Sequence, residues 1–172
     1  MKILEKNKLE QLLEIIEHSP ALRIAHFDDA NEEFVETLYQ FCAKYEYEYQ
    51  LNATDDGFYE RAVTHYENGP IINITNFNTK RANYRVQGRE YEYIFVTSKI
   101  EDDAIELFLK RVYPIIKRAG NIIIFLPKDD YTKGYKYMEL LEKNNFVASN
   151  TINDLFDDWS VIISKRMHGW GN

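Results

Sequence analysis

Few residues in this sequence have the type and placement to do chemistry. The first is His26, in the segment ALRIAHFDDANEEFVETLYQF (21–41), where a short apolar strand gives way to a helix through a turn without glycine. A histidine at the end of a strand can serve as a general base or orient a ligand, and Asp28, two residues on, is its one acidic partner nearby in sequence. The same placement equally suits a partly buried ring bonded to a backbone carbonyl. His18 lies near a helix end and His65 on a helix, and neither has the HxxxH or HExxH spacing of a metal site. Cys42 is the only cysteine, which excludes an intramolecular disulfide and a thiolate cluster, so no metal is expected. Gly-x-Ser-x-Gly elbows and Walker loops are absent from the sequence.

Acidic residues recur where strands should end: Asp28-Asp29, Asp55-Asp56, Glu101-Asp102-Asp103 and Asp129-Asp130. They either form an electronegative rim or cap the helices that follow, and capping explains most of them without a ligand. The segment NTKRANYRVQGRE (78–90) gathers Lys80, Arg81, Arg85 and Arg89 around Tyr84. It either grips a phosphate or an RNA strand with Tyr84 stacked on a base, or is a solvated connection whose arginines pair with acids. A second basic set, Lys110, Arg111, Lys117 and Arg118, falls late in the clearest helix, where cations suit the dipole. The tail KRMHGWGN (165–172) carries His168 and Trp170, either docked on the domain or a partner, or frayed.

Composition narrows the classes. A net charge of -7 disfavours nucleic acid and anionic membranes as partners. The aromatic share of 15% leaves many rings half buried and available to a homo-oligomer or a protein partner. Apolar runs are too short to span a membrane, and MKILEKNKLEQLLEIIEH does not read as a signal peptide. With one thiol, a cytoplasmic location is expected.

The elements that must position these groups follow from periodicity. An amphipathic helix is expected over 3–18, then strands at 22–27, 45–52, 70–77, 91–98 and 121–127. Helices are expected at 30–46, within 54–69, at 101–120 with Pro114 bending it and Gly120 at its end, and at 134–146. Two closing strands, VASNTIND and WSVIISKRM, form a hairpin. The pattern predicts a single α/β domain over 1–172 with a tail at 167–172: a Rossmann-like three-layer sandwich whose mostly parallel seven-stranded sheet ends in an antiparallel strand.

This order resembles the class I S-adenosylmethionine-dependent methyltransferase superfamily. The resemblance is carried by YEYIFVTSKIEDDAIELFLKRVYPIIKRAGNIIIFLPK, then LLEKNNFVASNTIND and WSVIISKR. It implies a cofactor site at the strand ends, with Asp28, Asn52, Asn76 and Thr97 lining it and His26 as catalytic candidate. The family's first turn carries glycines that let the backbone meet the cofactor; HFDDANE (26–32) has none. Three readings remain open: a non-catalytic or strongly divergent interaction or ligand-binding module, an active S-adenosylmethionine-dependent methyltransferase of unknown substrate, and a small nucleic-acid-binding protein using residues 80–89.

Overall fold

The structure, a computed structural model, describes residues 4–67 and 69–167. The sheet is built from β1 (Arg23–Asp28), β2 (Glu48–Ala53), β3 (Ile72–Asn76), β4 (Tyr91–Val96), β5 (Ile116–Pro127), β6 (Phe146–Ile152) and β7 (Trp159–Arg166). Its strand order is β3-β2-β1-β4-β5-β7-β6. The first five strands run parallel, and β7 is antiparallel to both β5 and β6. The order reverses between β1 and β4. In sheets of this kind that reversal opens a crevice outside the carboxyl ends of the strands.

The central strands are apolar on both faces, so each face must be covered. On one, α1 (Lys6–Leu12), α2 (Glu32–Tyr45) and α3 (Asp56–Tyr66) bury Leu9, Leu12, Phe34, Leu38 and Phe58 against Ile24, Leu51, Phe95 and Ile123. On the other, α4 (Ile105–Val112) and α5 (Tyr131–Lys143) bury Phe108, Leu109, Tyr137 and Leu141 against Phe27, Ile94, Ile122 and Ile124. The parallel sheet covered by helices on both faces is the expected Rossmann-like architecture.

Two boundaries depart from the sequence reading. The N-terminal helix expected over 3–18 runs only from Lys6 to Leu12 and tightens into a 3-10 turn at Leu13–Ile15. The helix expected over 101–120 is α4 alone. Pro114 does not bend it but sits in a 3-10 turn, Tyr113–Ile115, that ends it, since proline suits the first positions of a turn and cannot continue the α-helical hydrogen bonds. Ile116 already begins β5. Gly120 therefore lies inside a strand, at a bulge where Tyr91 pairs with Ile116 and Tyr93 with Asn121. A Cβ there would stand 2.8 Å from the Lys117 carbonyl and 3.0 Å from that of Glu92. His168 and Trp170 lie outside the described residues, as does most of the tail. Among the described residues, no helix is long and apolar enough to cross a membrane.

Candidate functional site

His26 and Asp28 alternate along β1 and reach the same buried spot as Thr97, which follows β4. All three are almost fully buried. The Tyr49 hydroxyl lies 2.8 Å from His26 Nδ1, and Thr97 Oγ1 lies 2.7 Å from His26 Nε2. The Thr97 hydroxyl donates to Asp28 Oδ1 in a short hydrogen bond. His26 and Asp28 do not bond directly, His26 Nε2 and Asp28 Oδ1 being 3.8 Å apart.

One proton per hydroxyl fixes the direction of this chain. Thr97 gives its proton to the carboxylate, so His26 Nε2 must donate to Thr97 Oγ1. The neutral ring then accepts at Nδ1 from Tyr49. Burial enforces neutrality: it lowers the His26 pKa from 6.5 to about 3. Burial likewise raises Tyr49 well above its ordinary value, with the nearby Asp28 charge adding to it. For Asp28 burial raises the pKa, while hydrogen bonds from Thr97 and Asn31 oppose it.

The turn after β1 is closed by the same carboxylate. Asp28 Oδ2 accepts from the Asn31 N–H at 2.8 Å and Oδ1 from the Asn31 side-chain amide at 2.7 Å. The Asp28 side chain thus supplies a local acceptor to a backbone N–H three residues on. No residue from 26 to 32 has positive φ, so this turn has no left-handed position for glycine to fill. The neighbouring strand ends are tied across it. The Thr97 and Ser98 N–H groups donate to the Phe27 carbonyl at 2.9 and 3.0 Å. Thr54 N–H donates to the Asp28 carbonyl at 2.9 Å, and the Thr54 and Ser98 hydroxyls pair at 2.7 Å. Asp29 accepts from the Lys99 N–H at 2.9 Å.

The other candidates are not brought into this cluster. Asn52 is fully buried; its carbonyl oxygen accepts from Gln50 at 2.9 Å, and its amide nitrogen has no partner among the described residues. Asn76 is exposed and donates to Asp56 at 3.2 Å. Phe27, between His26 and Asp28, points to the opposite face, where its ring meets Phe77, Tyr84 and Phe108 at 5.0, 5.8 and 5.3 Å between centroids.

Tyr84 is thus not a stacking platform. It is buried, and its hydroxyl donates to the Thr79 carbonyl at 2.6 Å. The surrounding arginines are engaged: Arg85 with Glu90 at 3.1 Å, Arg89 with Glu48 at 3.0 Å, and Arg81 with the Asn83 carbonyl at 2.7 Å. The acidic pairs divide. Asp55 caps α3 and Asp130 caps α5, each accepting a backbone N–H of the first turn. Asp28 and Asp29 instead hold the β1 turn, and the N-cap of α2 is Asn31. Among the described residues, no group of three potential metal ligands occurs.

Sequence reasoning missed Tyr49, Asn31 and Thr54. Tyr49 meets His26 only because β2 lies in parallel register with β1, with Ile24 opposite Tyr49. The Asp28-x-x-Asn31 spacing was the one local signal, a short acidic side chain within reach of a backbone N–H three residues on.

No protein-family model matches the chain, and no curated protein matches it in sequence. Solved structures do match. An O-methyltransferase from Thermotoga maritima, described as SAM-dependent, superposes with a TM-score of 0.77 at 9% identity, over 100% of this chain and 69% of that one. The fold is that of the class I S-adenosylmethionine-dependent methyltransferases. A TehB-like SAM-dependent methyltransferase from Corynebacterium glutamicum aligns with a TM-score of 0.69 at 10% identity, over 92% of this chain and 86% of that one. The CurJ carbon methyltransferase aligns with a TM-score of 0.69 at 11% identity over 92% of this chain, which spans only 52% of that structure. The methyltransferase fold also appears in a structure described as the cyclase SpnF, with a TM-score of 0.70 at 6% identity, over 95% of this chain and 81% of that one.

Proposed function

We propose that this methyltransferase-like chain is a module that does not use the crevice at β1 and β4 as a cofactor site and acts by binding a partner or a small ligand elsewhere. The observation that carries this reading is the engagement of Asp28. Its carboxylate is the fully buried charge at the first turn, and both its oxygens are held by Asn31 and Thr97, while neighbouring Asp29 accepts from the Lys99 N–H. A ligand competing for it would have to break charge-assisted hydrogen bonds in a site without solvent, each worth about 1.5–3 kcal/mol. The Thr54–Ser98 hydroxyl pair closes the space between the ends of β2 and β4. On this reading S-adenosylmethionine does not fit the residues present, and His26 is a structural link rather than a base.

One observation favours the alternative, an active S-adenosylmethionine-dependent methyltransferase of unknown substrate. The buried Asn52 amide lacks a described partner close to the end of β2, where the family holds the ribose hydroxyls. A partner could be a second copy of the chain or another protein, met through exposed aromatics or the tail. The engaged arginines of residues 80–89 favour neither nucleic acid nor a phosphate ligand. Cytoplasmic placement belongs to the same proposal. Isothermal calorimetry with S-adenosylhomocysteine tests it: no heat up to millimolar ligand is expected, and micromolar binding would overturn it.

A further inference from the structure

A cleft of about 320 Å³ lies between α1 and the second half of α2. One wall is aromatic. Phe41 and Tyr45 sit one turn apart on α2, and His18, beyond the 3-10 turn that follows α1, packs on both. Ring centroids are 5.0 Å apart for Phe41–Tyr45, 4.2 Å for His18–Tyr45 and 5.6 Å for His18–Phe41. The Tyr47 hydroxyl, 2.6 Å from His18 Nδ1, fixes the imidazole in this wall. The opposite side contributes Glu10 from α1 and Glu14 from the 3-10 turn after it, four residues apart, and no described cation pairs with either. Tyr45 is 38% exposed, so part of the residue faces solvent although its ring packs on His18 and Tyr47.

Aromatic faces and unpaired carboxylates attract the same kind of guest. A ring carries negative charge on its face and draws a cation, best one that gives up its water readily. Carboxylates exclude anions and leave an uncharged apolar guest at a disadvantage, because burying them unpaired is unfavourable. The chain already sets one ammonium against this wall: Lys44 Nζ stands 5.2 Å from the Tyr45 centroid. A quaternary ammonium is weakly hydrated for a cation, and the cleft has room for one such group.

We propose that this cleft binds a methylated ammonium group, carried either by a choline-type small molecule or by a trimethyllysine side chain. The proposal deepens the ligand-binding reading above but uses a different surface from the β1–β4 crevice. The test is a nuclear magnetic resonance titration of the intact protein with tetramethylammonium chloride against sodium chloride at equal ionic strength. Saturable shifts at Glu14, Phe41 and Tyr45 are expected with the first salt only. Tyr45→Leu should weaken binding about two- to fivefold, the equivalent of one exposed cation–π contact. Glu14→Gln should weaken it, and Lys44→Gln, by removing the internal competitor, should tighten it. All three positions are exposed, so an unchanged melting temperature checks that each variant is folded.

Choline and a trimethyllysine peptide, each beside its unmethylated counterpart, then identify the source by which saturates at lower concentration. Shifts no larger than those from sodium chloride, or Tyr45→Leu binding as well as the parent, would overturn the proposal. S-adenosylhomocysteine carries no methylated cationic centre, only a well-hydrated primary ammonium, and its titration repeated on Tyr45→Leu separates the crevice from the cleft, so the two proposals can fail separately.

Discussion

Replacing Thr97 by Val tests whether the His26–Asp28 cluster is a structural network. The two side chains have nearly the same shape, so the change removes a hydroxyl and little else. That hydroxyl donates to Asp28 and accepts from His26 Nε2, both in a site with no exposure. Losing a hydrogen bond to a charged group weakens folding by about 1.5–3 kcal/mol, and a buried donor left without a partner adds about 1–3 kcal/mol. Partial relaxation leaves an expected loss of about 3 kcal/mol, a large part of the roughly 5–15 kcal/mol typical of a domain. For a chain of 172 residues that is a fall in melting temperature of about 6–12 °C. Urea unfolding, with Thr97→Ser alongside, isolates the hydroxyl: Ser keeps it and should lose only about 1 kcal/mol for the missing methyl. Equal stability of the two variants would refute the hydrogen-bond chain from Tyr49 through His26 and Thr97 to Asp28.

His26 should also set part of the acid sensitivity. Its pKa is about 3 in the folded chain against 6.5 when unfolded, so the unfolded form takes up the proton first. This contribution is fully present above pH 6.5 and is lost as pH falls toward 3, at about 1.4 kcal/mol per pH unit. The stability gap between the parent and His26→Gln should therefore shrink from pH 7 to pH 5 in urea titrations; a constant gap would count against the assignment. Gly120→Ala forces a Cβ against two backbone carbonyls and should destabilise by about 2 kcal/mol in thermal unfolding; wild-type stability would mean the bulge yields freely. Cys42 is buried and its thiol is pushed up to about 12. It should resist alkylation at pH 8 until the protein is unfolded, and rapid labelling of native protein would contradict its burial.

The architecture was readable because apolar strands and amphipathic helices alternate, and that alternation leaves few arrangements for a parallel sheet. The end of α4 was not. Ile115 and Ile116 continue its apolar stripe, yet they are buried by a turn and by the start of β5, and an apolar run looks the same in either state. Tyr84 was misplaced for a related reason: its neighbours in sequence are polar, but the β3–β4 connection folds its ring inward onto Phe27 and Phe77. His26, Asp28 and Thr97 could be named from strand ends alone. Their joining into one chain, and the share of Tyr49 in it, depend on the register between strands far apart in sequence. The turn without glycine was visible from the start. Its cause, Asp28 folding back on Asn31, was visible only as a spacing.

The central claim is that the crevice at β1 and β4 is occupied by the chain's own side chains. Amide chemical shifts of Asn31, Thr54, Thr97 and Ser98, followed while S-adenosylhomocysteine is added to millimolar excess, test it most directly. With the crevice filled in this way, these four amides should stay in place. Saturable movement of all four at micromolar ligand would contradict the claim and reinstate the crevice as a cofactor site.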